Sequence, residues 1–296
     1  MSNVSDIRIG FIGLGAMGNP MAANFVAKGY KVYALAASEE SVARFCSSNP
    51  EAIGCKSVKE VAINSDYVFC SLPNGKVVSD IMLGADGVFE NVARGTIVVD
   101  TSSVDPGTSI KLSRKAEEYG IDYLDAPVSG GVKGAQNGTL TIMVGGKESV
   151  FEKVHDVFNV IGKNIMYIGE AGAGDTMKIV NNLMLGCNMA AMAEALNLGR
   201  KFGLSIETMD NIVSISSGRS YVSDNKLKSF IMDGNYDGGF AVALQHKDLR
   251  LALDAANDIG APLMMGSMAT QIFELAKEKG YSKKDISSIY DMLSEI

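Results

Sequence analysis

Six residues near the N-terminus constrain the fold more than any other feature: Gly13-Leu14-Gly15-Ala16-Met17-Gly18. They follow the apolar run Ile9–Ile12 and precede an amphipathic stretch, Asn19–Lys28. A strand that ends on glycines at this spacing and turns at once into a helix is the pattern of a phosphate-binding βα turn. The first glycine permits the tight turn, the second lets a pyrophosphate approach the backbone, and the third lets helix and strand pack closely. The free N–H groups at the helix start then face the phosphates. Alone, the pattern also suits a purely structural turn. Between a strand and a helix it predicts dinucleotide binding through Gly13, Gly15, Ala16, Met17 and Gly18.

The rest of the first half repeats the alternation. Ile7–Ile12, Lys31–Leu35, Tyr67–Ser71, Thr96–Asp100 and Asp122–Leu124 read as short strands, with helical patterns over Glu39–Ser47, Lys76–Met82 and Pro106–Tyr119 between them. Thr139–Val144 and Ile165–Ile168 add two more strands. Strand and helix in alternation predict a parallel sheet with helices on its faces. After Gly174 the texture changes. Asp175–Phe202 contains no proline, and its apolar residues are too dense for one stripe, which predicts a long helix buried on several sides. Ile206–Ile215, Tyr221–Met232, Leu244–Ile259, Leu263–Lys279 and Lys283–Leu293 are helical in turn, and no strand is expected after Ile168. The expected fold is α/β: a Rossmann-like dinucleotide-binding domain over residues 1–170, then an all-α domain over 171–296, joined by the long helix.

Composition narrows the function. The formal net charge of −7 removes the usual attraction to phosphate backbones, so nucleic acid is not an expected partner. The four cysteines, Cys46, Cys55, Cys70 and Cys187, show no Cys-x-x-Cys spacing, and with two histidines in the chain no metal site is expected. Met1–Arg8 lacks the basic and apolar regions of a signal peptide, and Leu183–Ala193 is too short to span a bilayer. The expectation is a cytoplasmic protein without membrane contact, its cysteines free.

Several residues beyond the glycine loop carry chemistry. The position that reads the adenosine ribose should end the second strand, where Leu35-Ala36-Ala37-Ser38-Glu39 stands. Ala36 and Ala37 supply neither the acid that favours NAD nor the arginine that favours NADP. Ser38 suits either, so the coenzyme choice stays open. Ser129-Gly130-Gly131 offers a hydroxyl and successive N–H groups that suit a carboxylate, although a plain turn would use the same residues. Lys178 shares a helix face with Asn182 and nearly so with Asn181. Buried there, a lysine could exchange a proton with substrate, and a neighbouring cation would bring its pKa toward working pH; near a helix end it could equally snorkel to solvent. His246 invites a general-base reading, but it stands alone in sequence and reads as structural, and Lys247-Asp248 reads as a solvated pair. Arg219 could bind an anion or cap a helix.

Together these motifs resemble the β-hydroxyacid dehydrogenases, the family of 3-hydroxyisobutyrate dehydrogenase and tartronate semialdehyde reductase. The resemblance runs from Ile7 to Leu293 and rests on Gly10–Gly18, on Asp125-Ala-Pro-Val-Ser-Gly-Gly131, on Gly172-Ala-Gly-Asp-x-x-Lys-x-x-Asn-Asn182 and on Lys247-Asp248-Leu249. The stretches Asp122–Gly146, Ile179–Leu196 and Ser216–Tyr221 look most like the 2-(hydroxymethyl)glutarate dehydrogenase branch. The resemblance implies that Lys178 is the catalytic acid–base and that Ser129, Gly130 and Gly131 hold the substrate carboxylate. It implies that Asn181 and Asn182 hold the substrate, and that Leu72, Pro73, Val77, Ser103, Lys247 and Asp248 lie along the cofactor, NAD or NADP. A second carboxylate would suit Arg219. The implied reaction interconverts a β-hydroxyacid of the 3-hydroxyisobutyrate or 2-(hydroxymethyl)glutarate type and its semialdehyde.

The alternatives in the same family are reductases of tartronate or succinic semialdehyde, or of glyoxylate. A 6-phosphogluconate dehydrogenase would carry His-Asn where Asn181-Asn182 stands, and imine reductases and non-catalytic dinucleotide-binding modules generally lack the lysine found at 178. An apolar long helix and a helical second domain suggest a homo-oligomer, and relatives are commonly dimers or tetramers, so a homodimer or homotetramer is expected.

Overall fold

The computed structural model describes residues 6–295. Met1–Ser5, part of the segment read as lacking signal-peptide character, lie outside them. Chain contacts divide the protein into one unit up to Lys178 and a second from Ile179.

The first unit runs β1 (Arg8–Ile12), α1 (Gly18–Ala27), β2 (Lys31–Leu35), α2 (Glu39–Ser48), β3 (Ile53–Gly54), α3 (Val58–Ile63), β4 (Tyr67–Cys70), α4 (Gly75–Leu83), α5 (Val88–Asn91), β5 (Ile97–Asp100) and α6 (Pro106–Tyr119). It continues with β6 (Asp122–Asp125), β7 (Val128–Ser129), α7 (Gly131–Gln136), β8 (Leu140–Gly145), α8 (Glu148–Phe158) and β9 (Gly162–Gly169). The strands β3-β2-β1-β4-β5-β6 pair in that order, all parallel, which is the doubly wound arrangement of a Rossmann domain.

The sheet is not parallel throughout, as the alternation had suggested. β8 pairs antiparallel with β6 and β7, and parallel with β9. The connection Gly130–Thr139 between β7 and β8 is shorter than the dozen or so residues a parallel crossover needs. The two-residue strands β3 and β7 and the helices α3, α5, α7 and α8 were not expected from periodicity.

Both faces of the sheet are buried, so its strands read as continuous apolar runs rather than alternations. In β4, Phe69 packs into the cluster of Phe11, Phe25 and Phe158, while Val68 and Cys70 face the cluster of Met82, Phe89 and Leu112. Local chemistry sets the helix ends. Asp105 caps α6 by accepting the Thr108 N–H at 2.8 Å, Pro106 opens it, and Gly120 closes it with φ of 69°.

The long helix α9 (Ala173–Lys201) crosses from one unit to the other. The second unit then carries α10 (Ile206–Val213), a π-helical stretch Ser223–Ile231, α11 (Val242–Ile259), α12 (Met264–Ala276) and α13 (Ile289–Ser294). Its core gathers Met189, Ala193, Leu196, Leu227, Leu249, Phe273 and Ile289. In the single chain α9 buries the stripe Met189, Ala193 and Leu196 and exposes Val180, Met184 and Leu198, so it is not covered on several sides as expected. The helix expected over Lys283–Leu293 starts late. Asp285 turns its carboxylate onto the Ser287 N–H, and a short 3₁₀ turn, Ile286–Ser288, precedes α13.

Candidate active site

The glycine loop closes the C-terminal end of β1. Gly13 has φ of 103°, and a Cβ there would lie 2.3 Å from the Ser71 carbonyl oxygen. Its N–H donates to the Leu35 carbonyl at 2.8 Å, which ties the loop to the end of β2. At Gly18 a Cβ would fall 1.8 Å from the Gly13 carbonyl oxygen, so only glycine lets α1 start there. Gly15 is the opposite case: a Cβ would meet nothing within 4 Å. Open backbone at Gly15 and exposed Ala16, at the start of α1, leave room for a diphosphate to reach the loop and helix N–H groups. Met17 occupies the N-cap position of that helix. The residues therefore fit a dinucleotide.

Neighbouring strand ends complete this edge. The strand order reverses between β1 and β4, and open α/β sheets bind ligands outside the strand ends at such a switch. The loop after β4 holds Leu72, whose N–H donates to the Ser102 hydroxyl at 2.8 Å, and exposed Pro73. The Val77 N–H is taken by the Asn74 cap at 3.0 Å. Ser103, half-buried, follows β5. At the end of β2, Ser38 is exposed and caps α2, accepting the Ser41 N–H at 3.3 Å, and Glu39 and Glu40 fill the first turn of that helix.

Beneath this edge lie three buried acids. Asp100 accepts the Ser102 N–H at 2.9 Å, the Cys70 thiol at 3.1 Å and the Tyr123 hydroxyl at 3.1 Å. Asp125 accepts the N–H groups of Gly172 at 2.8 Å and Asp175 at 3.0 Å. Asp175 accepts the Ser109 hydroxyl at 2.7 Å and the Val104 N–H at 3.3 Å. Burial pushes all three carboxyls above the usual carboxylate range, and Asp175 well above it, because Asp125 and Asp100 add like charge. The same burial drives the Tyr123 hydroxyl and Cys70 thiol upward, with Asp100 contributing to both. Among the described residues no three His, Cys, Asp or Glu side chains are grouped to hold a metal ion.

Lys178 lies on the first turns of α9 and is 9% exposed. Its ammonium donates to the Val128 carbonyl at 2.9 Å. Val128 immediately precedes Ser129-Gly130-Gly131, where Gly130 has φ of 132° and α7 begins at Gly131. The first unit therefore brings together the lysine and the Ser129–Gly131 turn, which lie 47 residues apart in sequence between Gly131 and Lys178.

The second unit has its own polar cluster. Asn182, buried one helical turn beyond Lys178, donates its amide N–H to the Asp248 carboxylate, and Asn181 donates to the Asn182 side-chain oxygen at 2.8 Å. The Gln245 amide donates to the Asn182 carbonyl at 2.8 Å. Lys247 and Asp248 are not the solvated pair that adjacency suggested: Asp248 is buried, with Lys247 at 3.3 Å. The side-chain spacing of α11 turns Asp248 inward with Leu249 and Gln245. Gln245 was not expected from sequence; its local signal is its place four residues before Leu249, on the same face of α11.

His246 does not stand alone. Its Nε2 lies 2.5 Å from Glu274, and Lys277 approaches its Nδ1 at 3.3 Å. Burial, with Lys277 nearby, lowers its pKa. Arg219 is exposed and held by Asp224 at 2.9 Å.

Known proteins match along the whole length. Residues 8–169 match the family described as the NAD binding domain of 6-phosphogluconate dehydrogenase, and residues 172–293 that described as NAD-binding of NADP-dependent 3-hydroxyisobutyrate dehydrogenase. The chain is 53% identical over 283 residues to 2-(hydroxymethyl)glutarate dehydrogenase of Eubacterium barkeri, covering 96% of this chain and 93% of that protein. It is 38% identical over 301 residues to the mitochondrial 3-hydroxyisobutyrate dehydrogenase of Rattus norvegicus, covering 99% and 89% respectively. A solved structure of 3-hydroxyisobutyrate dehydrogenase from Mycobacterium tuberculosis with L-serine superposes with a TM-score of 0.90 at 31% identity, covering 97% of this chain and 99% of that one. No helix among the described residues is long and apolar enough to cross a membrane. With a glycine loop that fits a dinucleotide and relatives matched nearly end to end, the chain belongs to the β-hydroxyacid dehydrogenase family and is an NAD(P)-dependent oxidoreductase.

Proposed function

We propose that the enzyme interconverts 2-(hydroxymethyl)glutarate and its semialdehyde, with Lys178 as general acid–base. The observation that carries the assignment is the buried Lys178 ammonium on the Val128 carbonyl, one residue before the Ser129–Gly131 loop. A lysine held beside a carboxylate-binding loop meets a β-hydroxyacid at both its polar ends.

Bound nicotinamide supplies the hydride acceptor for oxidation and the hydride donor for reduction. The chain does the rest. Ser129 and the N–H groups of Gly130 and Gly131 hold the substrate carboxylate. Neutral Lys178 takes the proton of the β-hydroxyl as the alcohol is oxidised, and the protonated lysine returns it in reduction. The Val128 carbonyl restricts where that ammonium can point, and orientation of this kind supplies rate by proximity. Asn181 and Asn182 are assigned to the substrate, with Asp248 fixing the Asn182 amide. Arg219 is assigned to the second carboxylate of a glutarate. Leu72, Pro73, Val77, Ser103 and Lys247 are assigned to the coenzyme. NAD is favoured over NADP, because the Glu39 carboxylate follows the ribose-reading position and opposes a 2′-phosphate, whereas Glu40 is held by Arg44. A homodimer or homotetramer is the assembly we assign.

The substrate that favours this reading is the name of the relative at 53% identity. The test is a kinetic panel of 2-(hydroxymethyl)glutarate, 3-hydroxyisobutyrate, glycerate and 4-hydroxybutyrate with each coenzyme, followed by the absorbance of the reduced nicotinamide. The expected result is the highest kcat/KM for 2-(hydroxymethyl)glutarate with NAD, by about tenfold or more over the other acids, or about 1.4 kcal/mol. A higher value for any other acid would overturn the substrate, and a preference for NADP would overturn the coenzyme choice.

A further inference from the structure

The segment that precedes the carboxylate loop grips the start of α9 at two points. At one point Asp125, the last residue of β6, spreads its two carboxylate oxygens over the N–H groups of Gly172 and Asp175. The Asp175 N–H is one of the four at a helix start that have no partner within the helix. At the other point the Val128 carbonyl, three residues later, takes the Lys178 ammonium at 2.9 Å. Three residues separate Asp175 from Lys178, about one helical turn. The same short piece of chain therefore fixes both the start of the turn, through the Asp125 side chain, and the end of the lysine it carries, through the Val128 carbonyl.

Close packing leaves little slack in this grip. A Cβ at Gly145, which pairs with Asp125 in the sheet, would fall 2.6 Å from the nearer Asp125 carboxylate oxygen and 2.7 Å from the Gly174 nitrogen. A Cβ at Gly174 would fall 2.7 Å from the Asp125 carbonyl oxygen and 2.4 Å from that of Met143. Two glycines let the helix start and the strand end approach as nearly bare backbone. On the other side, Asp175 ties the same turn to the Val104 N–H and the Ser109 hydroxyl, beyond Ser103.

We propose that Asp125 is a positioning residue for Lys178: its carboxylate sets the register of the first turn of α9, so that the ammonium meets the Val128 carbonyl beside the Ser129–Gly131 loop. The effect on turnover rests on the acid–base reading of Lys178; the effect on the geometry of Lys178 does not. Asp125→Asn keeps the shape but replaces one accepting oxygen with an NH₂ group, so one of the two helix N–H groups loses its acceptor.

Two readouts separate the claims. The first is the rate at which acetic anhydride acetylates Lys178, followed by mass spectrometry, with buried Lys226 of the second unit as internal reference. The second is steady-state kinetics with 2-(hydroxymethyl)glutarate and NAD. In Asp125→Asn we expect Lys178 to acetylate at least about threefold faster relative to Lys226. We expect kcat to fall by about 10- to 100-fold, with KM for NAD within about twofold, as a misplacement near 1 Å produces. A merely structural role would lower Tm and leave both ratios unchanged.

Gly145→Ala gives a second route, because its methyl group presses on both the Asp125 carboxylate and the Gly174 nitrogen and so parts the two without changing the charge. If Asp125→Asn does not fold, Gly145→Ala carries the test, with the same direction expected in both readouts. Unchanged acetylation and unchanged kcat in whichever variant folds would overturn the proposal. Faster acetylation with unchanged kcat would support the positioning and count instead against Lys178 as the acid–base, a result that Lys178→Ala with near-normal turnover would confirm.

Discussion

In the first unit the carboxylates of Asp100, Asp125 and Asp175 are met by backbone N–H groups, hydroxyls and a thiol. In the second unit Asp285, equally buried, is met by the Lys226 ammonium at 2.5 Å. The Ser287 N–H and hydroxyl and the Phe240 N–H complete its shell, and the Lys226 ammonium also lies 4.6 Å from the Phe230 ring centroid. The two arrangements solve the same desolvation problem differently. A carboxylate matched by a cation can stay ionised in the core, at the cost of depending on that one partner. Carboxyls grouped among neutral donors are pushed toward protonation, so their contribution varies with pH. The cation-matched acid ties the Asp285 turn to Lys226 and to the Phe240 N–H within the second unit. The acids met by neutral donors lie under the strand ends that carry Ser103, the Ser129–Gly131 turn and the start of α9.

The largest break in this comparison should come from the second unit. Lys226→Met leaves Asp285 buried without its cation and should cost about 3–5 kcal/mol of unfolding free energy. Urea denaturation checks this, and kcat of the folded fraction should remain within about twofold. A cost below 1 kcal/mol would show that the N–H and hydroxyl donors alone suffice for Asp285.

A smaller effect should come from Asp175→Asn. A carboxyl whose folded pKa lies above its unfolded value leaves stability untouched at low pH. Stability is then lost as pH rises from the unfolded value, about 4, toward the folded one. Asparagine has no charge to desolvate and can still accept from Val104. The variant should therefore lose less stability than the parent between pH 4 and neutrality. Urea midpoints across that range give the slopes; equal slopes in parent and variant would contradict the raised pKa of Asp175.

The fold was largely legible because its signals are local. The strands β1, β2, β4, β5 and β6 announce themselves as apolar runs, and Gly13, Gly15 and Gly18 mark the turn where the backbone must approach itself or a ligand. The second-unit helices followed from their apolar spacing. What could not be read is what depends on partners far apart in sequence. Nothing local says that Asp248 would meet Asn182, that Glu274 and Lys277 would surround His246, or that β8 would run against β6. Asp125 stood in view inside a recognised motif, but its role needs Gly172 and Asp175, some fifty residues away. Lys178, the residue we propose transfers the proton, was visible only as a lysine with two amides on a helix; the Val128 carbonyl that holds it was not.

The central claim concerns that lysine. Single-turnover hydride transfer in Lys178→Ala, measured beside NAD binding by titration, tests it most directly. The account predicts an NAD Kd within about twofold of the parent and a transfer rate lower by about 10²–10⁴-fold, the usual contribution of a positioned acid–base group. Hydride transfer within tenfold of the parent, at unchanged Kd, would contradict it.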